Sequence, residues 1–298
     1  MSEVSSWLAE ALGCVLDESA GRFAVESCKE VQDGVNAARF GALMGRAGRV
    51  ARGAALDLQT LPAPTEGLAG WHVERWSAVD ALRVYLVLEL AGVDGPSGAA
   101  IVEEAFRYAD EGELVSLYRG LFLLPEPKRF AWRAGEGART NMLSVFEAVV
   151  CDGPYPVRHF DEVAWKQALL KSLFVGARLA SVHGVDSRLS PDVARMALDY
   201  ADERRSAGRQ IPPELWMLLG PHGGQRGIDA LIAELASPHQ PCRAGAILGL
   251  ARAGEQARSR AALEGDQSAD LQALIGSRFA SSSSPSSSAF AELDRLPS

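Results

Sequence analysis

Aromatic side chains make up only 7% of the 298 residues, and β-branched residues rarely cluster. Strands draw on both kinds, so the shortage argues against a sheet protein. Cysteine is sparse as well. Cys14, Cys28, Cys151 and Cys242 lie far apart and form no CxxC pair, which predicts reduced, mostly buried thiols. Basic charge is in deficit, with a formal net charge of -8 and a pI near 5.3. A general nucleic-acid binder needs a basic surface to displace counterions, so that class is set aside. No apolar run approaches the ~20 residues of a membrane span. The most apolar stretch, Val84 to Ala91, is interrupted by Glu89 and fits a buried helix. The opening Met-Ser-Glu-Val-Ser-Ser-Trp has no basic stretch followed by an apolar one, so the expected location is the cytoplasm.

Catalytic signatures are missing too. HExxH, Walker A, GxGxxG, GxSxG, EF-hand and DDxxD patterns do not occur. His72, His159, His183, His222 and His239 never pair at helical spacing. His159 with Asp161 and Glu162 comes nearest to a metal cluster, but closed sites take three or four converging ligands. The expectation is no metal, no cofactor and no identifiable catalytic residue.

What the chain has is helical periodicity. Ala, Leu, Arg and Glu are abundant, and most segments repeat apolar residues at helical spacing. Ser5 or Ser6 is read as the cap of a first helix, and Gly21 to Arg52 as one long helical stretch. Its second half carries Gly41, Gly45, Gly48 and Gly53, small residues that let another helix approach closely. Pro62, Pro64, Gly67 and Gly70 mark Leu58–Gly70 as a connecting loop. Helices are expected over Val73–Leu90, from Pro96 to about Asp110, over Glu113–Leu123, Phe130–Ala134 and Arg139–Val150. A loop is expected over Asp152–Phe160. Asp161 and Ser190 read as N-caps, Gly208 as a helix end, and Pro212-Pro213 as the start of a short helix around Trp216. Gly227–Ala262 resembles a HEAT hairpin, although no clean period runs through the chain.

The expected fold is therefore all-α, a HEAT-like α-α superhelix or helical-repeat solenoid. Its parts are an N-terminal helical segment (1–70), a core (71–226), HEAT-like C-terminal helices (227–279) and a Ser-rich flexible tail (280–298). In the tail, Phe290, Leu293 and Leu296 belong either to a frayed end or to a tethered docking peptide.

Three blocks in order carry a resemblance. They are ELVSLYRGLFLLP with GARTNMLSVFEAVV (Glu113–Val150), PYPVRHFDEVAWKQALLKSLFVG (Pro154–Gly176) and HGVDSRLSPDVARMALDYADERRSAGRQIPPELW (His183–Trp216). This part of the chain resembles the EboA family of metabolite-traffic proteins. The resemblance implies an α-α superhelix and a role in secondary-metabolite handling. It also implies partners from the same pathway, including a membrane prenyltransferase-type protein at whose membrane the chain would sit peripherally. It implies no named reaction.

Within those blocks charged groups sit among apolar ones. Arg139, Asn141 and Glu147 lie on one expected helix and Lys171 on another. Asp199 with Glu203, and Tyr200 with Arg204, are each four residues apart and share faces. One reading is ion pairs that hold helices in register. The other is a polar pocket in which Arg139, Lys171 and Arg204 receive an anionic intermediate or a partner carboxylate. Tyr155 and His159, beside Trp165, offer an aromatic groove, and Trp216 is a further candidate. Arg39, Arg46, Arg49 and Arg52 form a basic run that is either a solvated face or a contact for an acidic partner or lipid headgroups. The functional expectation is a non-enzymatic adaptor or binding protein. The alternative is a helical enzyme acting through the charged pocket, with Glu147 or Glu203 as acid-base group.

Overall fold

The computed structural model describes residues 3–56, 69–279 and 285–297. Every regular element among them is helical, and none is a strand. Residues 58–68 of the expected loop, and Ala280–Ser284 and Ser298 of the expected tail, lie outside the described residues. Contacts divide the chain into two compact units, residues 1–164 and 165–298.

The first unit contains α1 (Glu3–Val15), α2 (Glu18–Asp33), α3 (Ala37–Val50), α4 (Ala78–Leu88), α5 (Pro96–Tyr108), α6 (Glu111–Gly120), α7 (Ala131–Arg139), α8 (Leu143–Val150) and α9 (Tyr155–His159). It ends within α10 (Glu162–Val175). The second unit continues with α11 (Pro191–Ser206), α12 (Gly224–Glu234), α13 (Gln240–Arg252), α14 (Gln256–Gly265) and α15 (Ala269–Phe279).

Several boundaries differ from the sequence reading, each for a local reason. Ser5 does not cap α1 but lies buried inside it, its hydroxyl donating to the Glu89 carboxylate. The Gly21–Arg52 stretch breaks in two at Gly34, whose φ of 103° ends α2. The Asn36 side chain then accepts from the Arg39 N–H at 2.9 Å and starts α3. The Val73–Leu90 helix begins late, because Ser77 and Asp80 form a reciprocal capping box ahead of α4. Asp110 and Glu113 do the same for α6. Arg139 closes α7 instead of opening α8, and the expected Asp152–Phe160 loop contains the short α9, with Pro156 in its first turn. Asp161 and Ser190 do cap, accepting from Ala164 N–H at 2.8 Å and Val193 N–H at 3.3 Å.

In the first unit α4 is central and packs against α1, α2, α3 and α6. Trp71 meets Trp7, Trp76 and Phe122 edge to face, with ring centroids 5.3, 5.2 and 5.7 Å apart. In the second unit α13 is buried on nearly every face, wrapped by the 3-10 turn Pro213–Leu218 and by α12, α14 and α15. The region read as one hairpin, Gly227–Ala262, thus spans α12, α13 and part of α14. In the segment read as either a frayed end or a docking peptide, Ala289, Phe290, Leu293 and Leu296 are buried.

Candidate functional site

The twelve side chains singled out from the sequence divide between the units. In the first, Arg139 is exposed, pairs with Glu136 at 2.9 Å and lies over the Trp132 ring at 5.6 Å. Asn141 is exposed between α7 and α8, and Glu147 is half-buried on α8. Tyr155 is buried, donates to the Pro127 carbonyl at 2.9 Å and meets the His159 ring at 4.7 Å. Burial pushes the Tyr155 phenol up to about 12. Burial, then the positive charges of Lys128 and Arg158, hold the His159 imidazole below its ordinary value.

In the second unit, Trp165 is fully buried with the Arg188 guanidinium 4.7 Å above its ring. Lys171 is half-buried. Asp199 is exposed, bridged to Arg195 at 3.0 Å and to Arg226 at 2.9 Å. Arg226 also reaches Asp202 at 2.6 Å, so these charges stitch α11 to α12. Arg204 lies 6.0 Å from the Tyr200 ring and donates to the Gln210 carbonyl at 2.9 and 2.7 Å. Glu203 is exposed, and Trp216 is fully buried among apolar neighbours. The structure therefore gathers Tyr155 with His159, and Tyr200 with Arg204. It places Arg139 in one unit and Lys171 and Arg204 in the other.

The densest buried charge was not among those candidates. Arg119 on α6 donates through Nη1 to Asp80 at 2.7 Å and through Nε to Asp152 at 2.9 Å. Arg75 holds the other oxygen of Asp152. Ser116 donates to Asp80 at 2.8 Å, and Arg83 donates to the Met44 carbonyl at 3.1 Å. Asp80, Arg83 and Asp152 are all buried. Each carboxylate oxygen faces a donor, so the cluster is a lock between helices and holds no idle base. The signal for it was Asp80 and Arg83, three apart in the otherwise apolar Ala78–Leu88 run.

This lock borders a two-part cleft along the glycine face of α3. Gly48 lies so close to Arg83 that a Cβ there would stand 2.5 Å from the guanidinium, and one at Gly45 would stand 3.4 Å from a Glu113 oxygen. The face expected to receive a helix receives those two side-chain ends. The more apolar part of the cleft, about 350 Å³, lies among Ala37, Gly41, Met44, Ala105, Tyr108 and Leu117, with Glu104, paired to Arg107 at 3.6 Å, at its border. The polar part, about 770 Å³, lies among Gly45, Gly48, Arg49, Arg52, Val79, Arg83 and residues 110–113. Glu113 borders both.

The charges in the polar part are unequally engaged. Asp110 and Glu113 cap α6, Glu113 also lies 3.8 Å from Arg83, and Glu111 accepts from the Ser144 hydroxyl. Of the basic run, Arg39 pairs with Glu30 and Arg46 lies over the Phe23 ring at 5.0 Å. Arg49 and Arg52 are exposed on the cleft, and no acid among the described residues pairs with either. The cleft thus joins a mainly apolar trough to two guanidinium groups that pair with no acid among the described residues, a combination suited to an amphipathic anion. Among the described residues no three His, Cys, Asp or Glu side chains gather as metal ligands, and no helix is long and apolar enough to cross a membrane.

A family model described as "Metabolite traffic protein EboA" matches residues 4–220, more than half of the chain and all of the α3 cleft. No curated protein and no solved structure matches it.

Proposed function

The chain belongs to the EboA family, and from that premise we propose that it is a non-catalytic binding component of metabolite traffic, carrying an amphipathic anionic intermediate in the α3 cleft. One observation carries the reading. Arg49 and Arg52 pair with no acid among the described residues and stand at the rim of a cleft whose other half is mainly apolar. Guanidinium groups bind carboxylates and phosphates by charge-assisted hydrogen bonds, and the apolar trough takes the body of the molecule.

The finer picture is an adaptor on a HEAT-like superhelix that works in the cytoplasm, peripheral to a membrane, and passes its cargo to enzymes of the same pathway. A membrane prenyltransferase-type protein is the expected neighbour. The α12–α13 hairpin and the consecutive packing of α13, α14 and α15 support the superhelix part. The basic face of α3 supports the peripheral part, since Lys and Arg near an anionic leaflet are attracted to it.

Equilibrium binding of dodecanoate against dodecanol, at low and high salt, tests the cleft. Dodecanoate binds more tightly, salt weakens it, and R49A/R52A removes about tenfold or more of its affinity. Equal binding of acid and alcohol, or no effect of the double substitution, overturns the assignment. Mass spectrometry of small molecules retained by the purified chain, and a pull-down with pathway enzymes, test the traffic role. Repeated recovery of neither cargo nor partner counts against it.

A further inference from the structure

The second unit holds an arrangement that the α3 reading does not use. After α15 and a serine-rich stretch, Pro285 resumes a short segment built only of two 3-10 turns, Ser287–Phe290 and Leu293–Arg295. Such turns contribute few hydrogen bonds of their own, so what the segment packs on must hold it. Phe290, Leu293 and Leu296, spaced three apart, are buried. The segment packs on the Leu179–Ser181 and Pro213–Leu218 turns and on α13.

A polar clasp fixes its beginning. Asp186 accepts from the Ser287 backbone N–H and hydroxyl, both at 3.0 Å, and from Arg252 Nη2 at 2.6 Å. Arg252 Nη1 donates to the Pro285 carbonyl at 2.8 Å. Burial pushes the Asp186 carboxyl up, but the Ser287 N–H and the Arg252 guanidinium outweigh it and hold the group below its ordinary value. Farther along, contact is incomplete. A cavity of about 470 Å³ remains between the segment and its bed, bordered by Leu173, Pro212, Glu214, Phe290, Leu293 and Leu296.

We propose that residues 285–296 form a releasable strap, the chain's own occupant of an apolar docking groove on the second unit, held by the Asp186–Arg252 clasp and three spaced anchors. The anchors and clasp are few, and the segment has no long helix to preserve its shape once detached. Its occupancy therefore depends on the high effective concentration that attachment through residues 280–284 gives it. The pocket beside the segment is open to solvent and leaves part of the bed uncovered, so a competing chain can make contact there before the strap has left. Release bares the bed of α13 and the Pro213–Leu218 turn for another apolar segment. The strap lies beyond the residues matched by the family model, so the device is an addition to the family-matched part of this chain.

The test replaces Ser281–Ser284 in the full chain with a protease sequence and cuts after folding. The freed segment is expected to leave on dilution, and a labelled peptide of residues 285–298 is expected to rebind with micromolar affinity. The F290A/L293A peptide binds about tenfold or more weakly, and uncut chain takes up the peptide about tenfold or more weakly than cut chain. A segment that stays bound through dilution to nanomolar concentration, or a cut chain that loses its cooperative unfolding, overturns the proposal by making the segment part of the core. In uncut chain, S287E sets a second carboxylate beside Asp186. Faster hydrogen exchange over residues 286–296 with α13 still protected supports release, and unchanged exchange opposes it. A concentration-dependent dimer abolished by F290A/L293A places a second copy in the groove and overturns occupancy within one chain.

Discussion

Arg119 reaches Asp80 through one nitrogen and Asp152 through another, at 2.7 and 2.9 Å, and so joins α4 and α6 to the turn after α8. Both carboxylates are buried, and neither can turn to water when the cation is removed. R119M is expected to cost about 3 kcal/mol, the low end for stripping one partner from a buried pair, because Asp80 loses its cation while Asp152 keeps Arg75. The exposed Arg195–Asp199 pair is the contrast, and R195A should cost no more than about 0.5 kcal/mol. Urea unfolding of both variants checks this, and equal losses would refute the lock.

Two glycines on helices should respond in opposite directions. A Cβ at Gly137 would fall 2.5 Å from a Val149 methyl and 2.6 Å from the Tyr118 ring, so G137A is expected to lose about 1–3 kcal/mol through overpacking. At Gly21 a Cβ meets nothing within 4 Å, so G21A should gain about 0.5–1 kcal/mol from helix propensity. Thermal unfolding distinguishes the signs.

Glu214 gives a pH signature. Burial pushes its carboxyl from the ordinary 4.5 up to about 7, although the Leu179 and Ala180 backbone N–H groups pull it down. The folded state then holds a proton that the unfolded state has released. Its stabilising share is complete below pH 4.5 and is lost as pH rises through about 7. E214Q should remove this decline, a difference on the order of 3 kcal/mol between the two ends of the window. Unfolding curves across that range, parallel for both proteins, would exclude it.

Arg49 and Arg52 contribute charge to the cleft and little to the fold. R49A/R52A is expected to unfold within about 0.5 kcal/mol of the parent, as for most exposed substitutions. A large loss of stability would mean that any binding defect in this variant reflects damage to α3.

Helix identity was legible because burial writes a 3.6-residue period into the sequence. Asp161 and Ser190 were legible because a cap needs one short polar side chain at one place. The misread boundaries share a cause. Gly34 turns the chain through a backbone angle that composition does not display, and Ser77 caps only because Asp80 answers it three residues later. Arg139 looked like the opening of α8 because Thr140 to Met142 carry no strong breaker, yet it closes α7. The lock of Asp80, Arg119 and Asp152 joins residues up to 72 positions apart, as Asp80 to Asp152, and no local pattern reveals such pairing. The basic run was visible, but which of its members were uncommitted was not. Arg39 and Arg46 find Glu30 and Phe23 only once α2 and α3 fold back on each other.

The cover over Leu215, Trp216, Met217, Leu218 and Leu219, each 0% exposed, has a consequence for how the chain is made. The helix that shields them, α13, ends only at Arg252. A ribosome adding ~5–20 residues per second leaves this greasy stretch uncovered for about 2–7 s after Trp216 is joined. Over that interval the nascent chain is adhesive, and a holding chaperone at the tunnel exit should raise its yield more than any change to the finished surface.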